Sequence, residues 1–283
     1  MRINVTQDLD RFIAAAGPWL VKSPVANNVL LTSIAAQQAG HAKGTAPAVY
    51  GWAEDKGSVL GAVRWPPPLP ATVTAMPPAA AAALAAALAD ESAALPGVNG
   101  PTEAVSAFAA RWLELTGAAA GPRRTLLVSQ AREVKLAEWP PGELRRAAPD
   151  EAPALAGWIT AVLTAAGLPS PEAVARQQVT EQLSGGRLYV WATGGQLAAV
   201  IGHAAPAENV VLVHGGYASP EHRDAWYGTA VMAAVTKQLL EQGYACISIT
   251  DRANPQVGAA MRAVGYEAAS ELADVKFGPP ADR

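Results

Sequence analysis

Tyr217-Ala218-Ser219-Pro220-Glu221-His222-Arg223-Asp224-Ala225-Trp226-Tyr227-Gly228 is the stretch that decides the fold. Just before it, Val210 to His214 is a short run rich in β-branched residues and reads as a strand. Just after it, Tyr227 to Gln242 places Val231, Val235, Leu239 and Leu240 at helical spacing. The quoted residues are therefore a strand-to-helix turn. The same alternation continues outward. Ala245 to Thr250 reads as a strand, Gln256 to Ala263 as a short helix and Glu271 to Phe277 as a last strand. On the N-terminal side, Asp150 to Ala166 and Pro171 to Leu183 read as helices. Arg187 to Thr193 and Leu197 to Ala204 read as strands, parted by Ser184-Gly185-Gly186 and Gly194-Gly195.

Further upstream, Glu138 to Asp150 holds Pro140, Pro141, Gly142 and Pro149 and reads as a linker near mid-chain. The expected division is a first domain over 1–137, a linker over 138–149 and a second domain over 150–283. The first half is also α/β. Asp8 to Leu20 has helical spacing, and Ala46 to Ala53 and Ser58 to Trp65 read as strands around Asp55-Lys56-Gly57. Pro77 to Leu95 reads as a helix opened by prolines. Gly97 to Pro101 reads as a turn, followed by a helix to about Leu115 and a strand over Arg124 to Val128. A turn, a helix and a closing strand thus occur in both halves, which points to duplication of one fold.

The strand, the turn from Tyr217 to Arg223 and the helix after it resemble the centre of GNAT N-acetyltransferases. So do Thr250-Asp251-Arg252-Ala253-Asn254-Pro255, the helix that follows and Gly265-Tyr266. The resemblance covers roughly Arg145 to Phe277. The first half resembles the degenerate N-terminal copy of tandem actinobacterial members. The resemblance implies an α/β (α+β) chain of two GNAT domains, each a mixed, mostly antiparallel sheet flanked by helices. It also implies amide-forming acyl transfer, with acetyl-CoA as the ordinary donor and a small-molecule amine as acceptor. The donor arm would lie along the central strand, at Gly215, Gly216 and Tyr217, with Arg223, Trp226, Tyr227, Gly228 and Asn254 as further donor contacts.

Two departures bear on the donor. In the family loop an arginine or glutamine, then two residues, a glycine, one residue and a small residue wrap a pyrophosphate. Backbone N–H groups at the helix start point at the anion. Here Arg223 and Gly228 match the ends, but Trp226 occupies the central glycine position and Asp224 adds a negative charge. Family members also place a proton-donating tyrosine four residues before Gly265, where this chain has Met261, and a thioether has no proton to give. A donor other than plain acetyl-CoA follows as an expectation: an aminoacyl-tRNA or an acyl carrier protein. A basic stretch from Pro122 to Arg146 holds six Arg or Lys against three Glu, so Arg123, Arg124, Arg145 and Arg146 are candidate carrier contacts. The plainer reading of that stretch is a solvated linker.

His214, at the end of the central strand, is the candidate base toward an amine, with His203 expected to face the same cleft. Asp251 is a candidate acceptor contact or a turn cap. Composition narrows the classes. Hydrophobic residues at 51% suffice for two cores in 283 residues. A net charge of −3 argues against a general nucleic-acid binder, and a single cysteine excludes an internal disulfide or a Cys-rich zinc site. No metal site is expected. No segment is apolar and long enough for a bilayer, and the opening residues lack a signal-type apolar core, so a cytoplasmic protein is expected. Two readings stay open: an acyltransferase, with natural-product biosynthesis as one setting, or a binding protein that kept the fold and lost the chemistry. An acetyl-CoA enzyme with a divergent loop is the variant of the first.

Overall fold

The computed structural model of the chain describes residues 1–40, 46–91, 95–165, 171–222 and 226–280. It divides into two compact units: Met1–Val128 with Asp251–Ala253 and Ser270–Arg283, and Ser129–Thr250 with Asn254–Ala269.

In unit 1 the elements run β1 (Arg2–Thr6), α1 (Leu9–Leu20), α2 (Asn28–Gln38), β2 (Val49–Asp55), β3 (Ser58–Trp65) and β4 (Ala71–Val73). They continue with α3 (Pro78–Glu91), β5 (Gly97–Pro101), α4 (Thr102–Thr116) and the long β6 (Ala118–Ala131), which clusters with unit 2 from Ser129 onward. The expected helix end at Leu95 crosses residues 92–94, which lie outside the described residues. One face of the sheet is apolar. Val63, Trp65, Val73 and Val98 pack against Leu84, Leu88, Phe108 and Trp112 of α3 and α4. The alanine run of α3 favours helix, and its small side chains let the helix settle closely on the sheet. On the other face Phe12 of α1 stacks on Tyr50, with ring centroids 4.9 Å apart.

Gly97 to Pro101, read from sequence as a turn, is a strand. It pairs in parallel with β4, Ala71↔Val98 and Thr72↔Asn99. Its glycines answer to close neighbours. A Cβ on Gly100, at φ +144°, would lie 2.3 Å from the Val73 carbonyl oxygen, and one on Gly97 would lie 2.4 Å from that of Val275. The short strands β1 (Arg2–Thr6) and β4 (Ala71–Val73) were not among the expected elements.

Unit 2 contains β7 (Glu143–Arg146), a 3-10 turn (Pro149–Glu151), α5 (Ala152–Ala165), α6 (Pro171–Ser184), β8 (Leu188–Thr193), β9 (Gln196–His203) and β10 (Val210–Ala218). After a 3-10 turn (Pro220–His222) come α7 (Tyr227–Glu241), β11 (Ala245–Asp251), α8 (Pro255–Val264) and β12 (Tyr266–Pro280). Strands β7, β8, β9 and β10 pair antiparallel in that order, and β10 pairs in parallel with β11. One face carries α7 and α8 over Ile201, Val211, Val213 and Tyr266. The other carries α5 and α6 over Leu188, Val190 and Val200.

Two expected boundaries shift. The stretch expected as a linker carries β7, whose residues pair from Glu143↔Ala192 to Arg146↔Tyr189. The last strand is divided. From Ser270 onward β12 clusters with unit 1, where Leu272 to Lys276 pair antiparallel with β5. The hydrogen-bonded ladder explains this, because residues 272–276 satisfy backbone groups of β5 that would otherwise be an open edge.

Candidate active site

The centre of unit 2 is the seam between β10 and β11. Their parallel register runs from Val210↔Ala245 to Leu212↔Ile247. Both strands continue past it, β10 to Ala218 and β11 to Asp251. The parallel register between them ends at Leu212↔Ile247. Strand β10 is bulged on its other side, where the register with β9 shifts between His214↔Gly202 and Tyr217↔Val200. Gly215 sits in the bulge at φ +75°, a conformation that suits glycine. The bulge turns His214 and position 215 to one face. His214 points at α6, and a Cβ on Gly215 would lie 3.3 Å from both Gln178 Nε2 and Ile159 Cδ1.

Two carboxamides one helical turn apart on α6 flank the His214 ring. Gln178 Nε2 lies 3.5 Å from Nδ1, and Gln182 Nε2 lies 3.4 Å from Nε2. Gln182 is 4% exposed and its Oε1 is buried without a partner. Which of the two carboxamides donates to the ring and which accepts from it depends on the imidazole tautomer. Next along β10, Tyr217 packs against Trp158 of α5, with centroids 5.4 Å apart. The sequence had not pointed to Gln178, Gln182 or Trp158. The available signal was two glutamines at i and i+4 beside the buried Ala175 and Val179 of α6.

His203 does not share this face. It stands opposite Val213, which packs under α7, while His214 stands opposite Gly202. Successive strand residues alternate sides, so the expectation of one cleft for both histidines is corrected. His203 is buried at 6% exposure, stacks on Tyr189 at 6.0 Å, and its Nδ1 lies 2.8 Å from the Ala204 carbonyl oxygen. Burial holds its pKa below the usual imidazole value, assisted by the positive charges of Arg187 and Arg146.

The turn into α7 is described from Trp226 onward; Arg223, Asp224 and Ala225 lie outside the described residues. Trp226 is 62% exposed and has φ +63°, the left-handed conformation. Tyr227 is buried and takes His222 edge-on at 5.1 Å; His222 Nδ1 lies 2.8 Å from Ser219 Oγ. Gly228 lies against β10, where an added Cβ would meet that of Ala218 at 3.6 Å. Gly216 is exposed on β10. Met261 is 3% exposed and packs in the core beneath α7.

The remaining candidates have structural partners. Asn254 caps α8, its Oδ1 accepting from Val257 N at 3.2 Å. Asp251 clusters with unit 1, where its Oδ1 accepts from Ala253 N at 2.8 Å and its Oδ2 lies 4.0 Å from Arg124 Nη1. Arg124 also binds Asp274 through Nε at 3.1 Å and Nη2 at 2.5 Å, and Arg123 donates to Ser106 Oγ at 3.2 Å. In unit 2, Arg145 holds Glu151 at 2.5 and 3.0 Å, which keeps the Glu151 carboxyl below the usual carboxylate range. Arg146 is exposed beside it. Carboxylate partners for Arg124 and Arg145 reduce the positive field that the basic stretch implied. Among the described residues no group of His, Cys, Asp or Glu is placed to hold a metal ion, and no helix is long and apolar enough to cross a membrane.

Residues 154–266 match the acetyltransferase (GNAT) family. No curated protein sequence matches the chain. Three solved structures are similar over nearly the whole chain. A GNAT-family acetyltransferase from Colwellia psychrerythraea is 15% identical, with 98% of this chain and 100% of that one covered and a TM-score of 0.63. A GCN5-related N-acetyltransferase from Sphaerobacter thermophilus is 16% identical, with 99% and 98% covered and a TM-score of 0.60. A tandem GNAT protein from the clavulanic acid biosynthesis pathway is 16% identical, with 99% and 100% covered and a TM-score of 0.57. The chain has the GNAT fold, and its stretch from residue 154 to 266, which contains the parted strands and the bulge, is the part that matches the acetyltransferase family.

Proposed function

We propose that unit 2 is a GNAT-type N-acyltransferase that moves an acyl group from a thioester to the amine of a small molecule. The observation that carries this reading is the parting of β10 from β11 beyond Leu212↔Ile247, with the bulge that turns His214 toward α6. Where the register with β11 ends, the edge of β10 would take the amide groups of a pantetheine arm in the manner of an added strand. The amine enters from the α5–α6 side, where His214 accepts its proton. The nitrogen attacks the thioester carbonyl, and N–H groups of β10 stabilise the oxyanion. The C–N bond forms, the C–S bond breaks, and the thiolate departs. Met261 holds no proton for it, so the thiolate is protonated by solvent or by imidazolium.

The donor is an acyl group on a carrier protein rather than free acetyl-CoA. Trp226 in the central glycine position and Asp224 in the loop weaken a pyrophosphate cradle, and a carrier-bound thioester lacks the adenosine diphosphate that such a cradle serves. The carboxylate partners of Arg124 and Arg145 favour this donor over a tRNA, which needs many unpaired cations. The test is thiol release by the full chain with an amine panel, comparing acetyl-CoA with an acetylated carrier protein. The carrier is expected to exceed acetyl-CoA in kcat/KM by about tenfold or more, a difference of about 1.4 kcal/mol. Low-micromolar binding of acetyl-CoA by calorimetry would refute the carrier assignment. Absence of turnover and binding with either donor would refute the enzyme itself.

A further inference from the structure

Arg64 lies on β3 of unit 1 and is only 7% exposed. Val63 and Trp65 beside it belong to the core under α3 and α4, so alternation along the strand puts Arg64 on the opposite face. Register extends that face into a row across the sheet: Tyr50↔Arg64, Arg64↔Thr72, Thr72↔Asn99 and Asn99↔Asp274. The Tyr50 hydroxyl donates to Gln37 Oε1. Asp274 is neutralised by Arg124. Three strand spacings separate Asp274 from Arg64, roughly 14 Å, too far for a direct pair. Thr72 and Asn99, between them, are half-buried.

Among the described residues no carboxylate answers Arg64. Its Nε is sealed from solvent without a hydrogen-bond partner, and among the described residues its guanidinium has no ion pair. A guanidinium does not shed its proton to escape burial, as a lysine or histidine does. A charge held out of water is costly unless it is paired.

We propose that Arg64 is the anchor of a carboxylate-binding site in unit 1, with the Thr72 hydroxyl and the Asn99 carboxamide as neighbouring hydrogen-bonding groups. One unpaired positive charge matches one negative charge, and the planar fork of the guanidinium matches a planar carboxylate. A phosphate dianion would leave net negative charge in a row that already contains Asp274. The ligand class is therefore a small organic monocarboxylate. The site does not depend on acyl transfer in unit 2.

The test is calorimetry and thermal melting of the full chain with sodium acetate, sodium phosphate and sodium chloride at matched ionic strength. Acetate is expected to bind saturably and raise Tm above the chloride control, while phosphate does not. Arg64→Gln should weaken acetate by about tenfold or more, through loss of a charge-assisted pair. Its Tm in chloride should equal or exceed that of the wild type, because an unpaired buried charge has gone. Thr72→Val, which leaves the cation in place, should weaken acetate severalfold without lowering Tm. If Arg64→Gln fails to fold, Thr72→Val decides, and unchanged acetate affinity overturns the site. Equal responses to acetate and chloride in the wild type, full acetate affinity in Arg64→Gln, or preference for phosphate would each overturn the proposal.

Discussion

Trp226 holds a backbone conformation that costs a side chain roughly 1 kcal/mol or more and costs glycine little. The turn has kept the glycine-type backbone although the glycine has gone. Trp226→Gly should therefore leave stability unchanged or raise it by up to about 1 kcal/mol in urea unfolding, the relief of strain being set against added chain entropy. It should also tighten acetyl-CoA; weaker binding in the variant would contradict the reading of the loop. Trp226 was legible because a motif placed a glycine there, whereas Gln178 and Gln182 match no motif and gain meaning only when α6 is folded over His214. His214→Gln should lower kcat by about 100-fold or more while KM for the amine changes little, as expected for a lost base. His203, on the other face, should matter to stability instead. Its folded pKa is depressed by burial, so below about pH 6.5 the unfolded chain takes up a proton that the folded chain does not. Stability is retained above that pH and falls as pH drops toward the folded pKa. His203→Gln should flatten the decline in a series of urea melts, whereas His214→Gln should leave the His203-dependent part of it.

Elements with long periodic runs, such as α4, α6 and α7, were readable from spacing, because the buried face of each repeats at helical period. The short strands were not. Asn99 and Gly100 lie in a Gly-rich stretch that local chemistry reads as a turn, yet the stretch is a strand held between Val73 and Val275. Tertiary proximity, not propensity, places the glycines there. Gly100→Ala forces a Cβ to 2.3 Å from the Val73 carbonyl oxygen at a φ of +144°. It should destabilise unit 1 by more than about 1 kcal/mol, read as a lower urea midpoint, because the strain exceeds the entropy gained in the unfolded chain. The same residue change at Gly228 meets only ordinary contact with Ala218 and should cost little. A Gly100→Ala variant as stable as the wild type would mean that β4 and β5 do not approach as described. On β10, by contrast, a Cβ added at Gly215 or Gly216 would meet Gln178, Ile159 or Ile201, side chains of α6, α5 and β9.

At the scale of the whole molecule the sequence suggested two consecutive domains, and the fold class was legible because strand–turn–helix order recurs in each half. The route of the last strand was not legible, because pairing partners far apart in sequence leave no local mark. Residues 270–280 carry the consequence. Ala273 and Val275 are 2% and 6% exposed in the core of unit 1, and Asp274 holds Arg124 there at 2.5 Å. A chain ended after Ala269 should therefore lose structure in unit 1, although the missing residues follow unit 2 in sequence. The truncation removes two buried apolar side chains, the ladder from Leu272 to Lys276 and the carboxylate partner of Arg124. Burial of such side chains is worth about 1.5–3 kcal/mol for the larger ones, and an orphaned partner adds to the loss. Against a typical domain stability of about 5–15 kcal/mol, these losses together are enough to unfold a marginal unit. Limited proteolysis should cut the truncated chain preferentially within residues 1–128 and spare residues 129–250. Tryptophan fluorescence should report the exposure of Trp65 and Trp112, which are 3% and 1% exposed in the intact chain. A truncated chain that resists protease throughout, with unchanged emission, would show that unit 1 closes its sheet without the C-terminal strand.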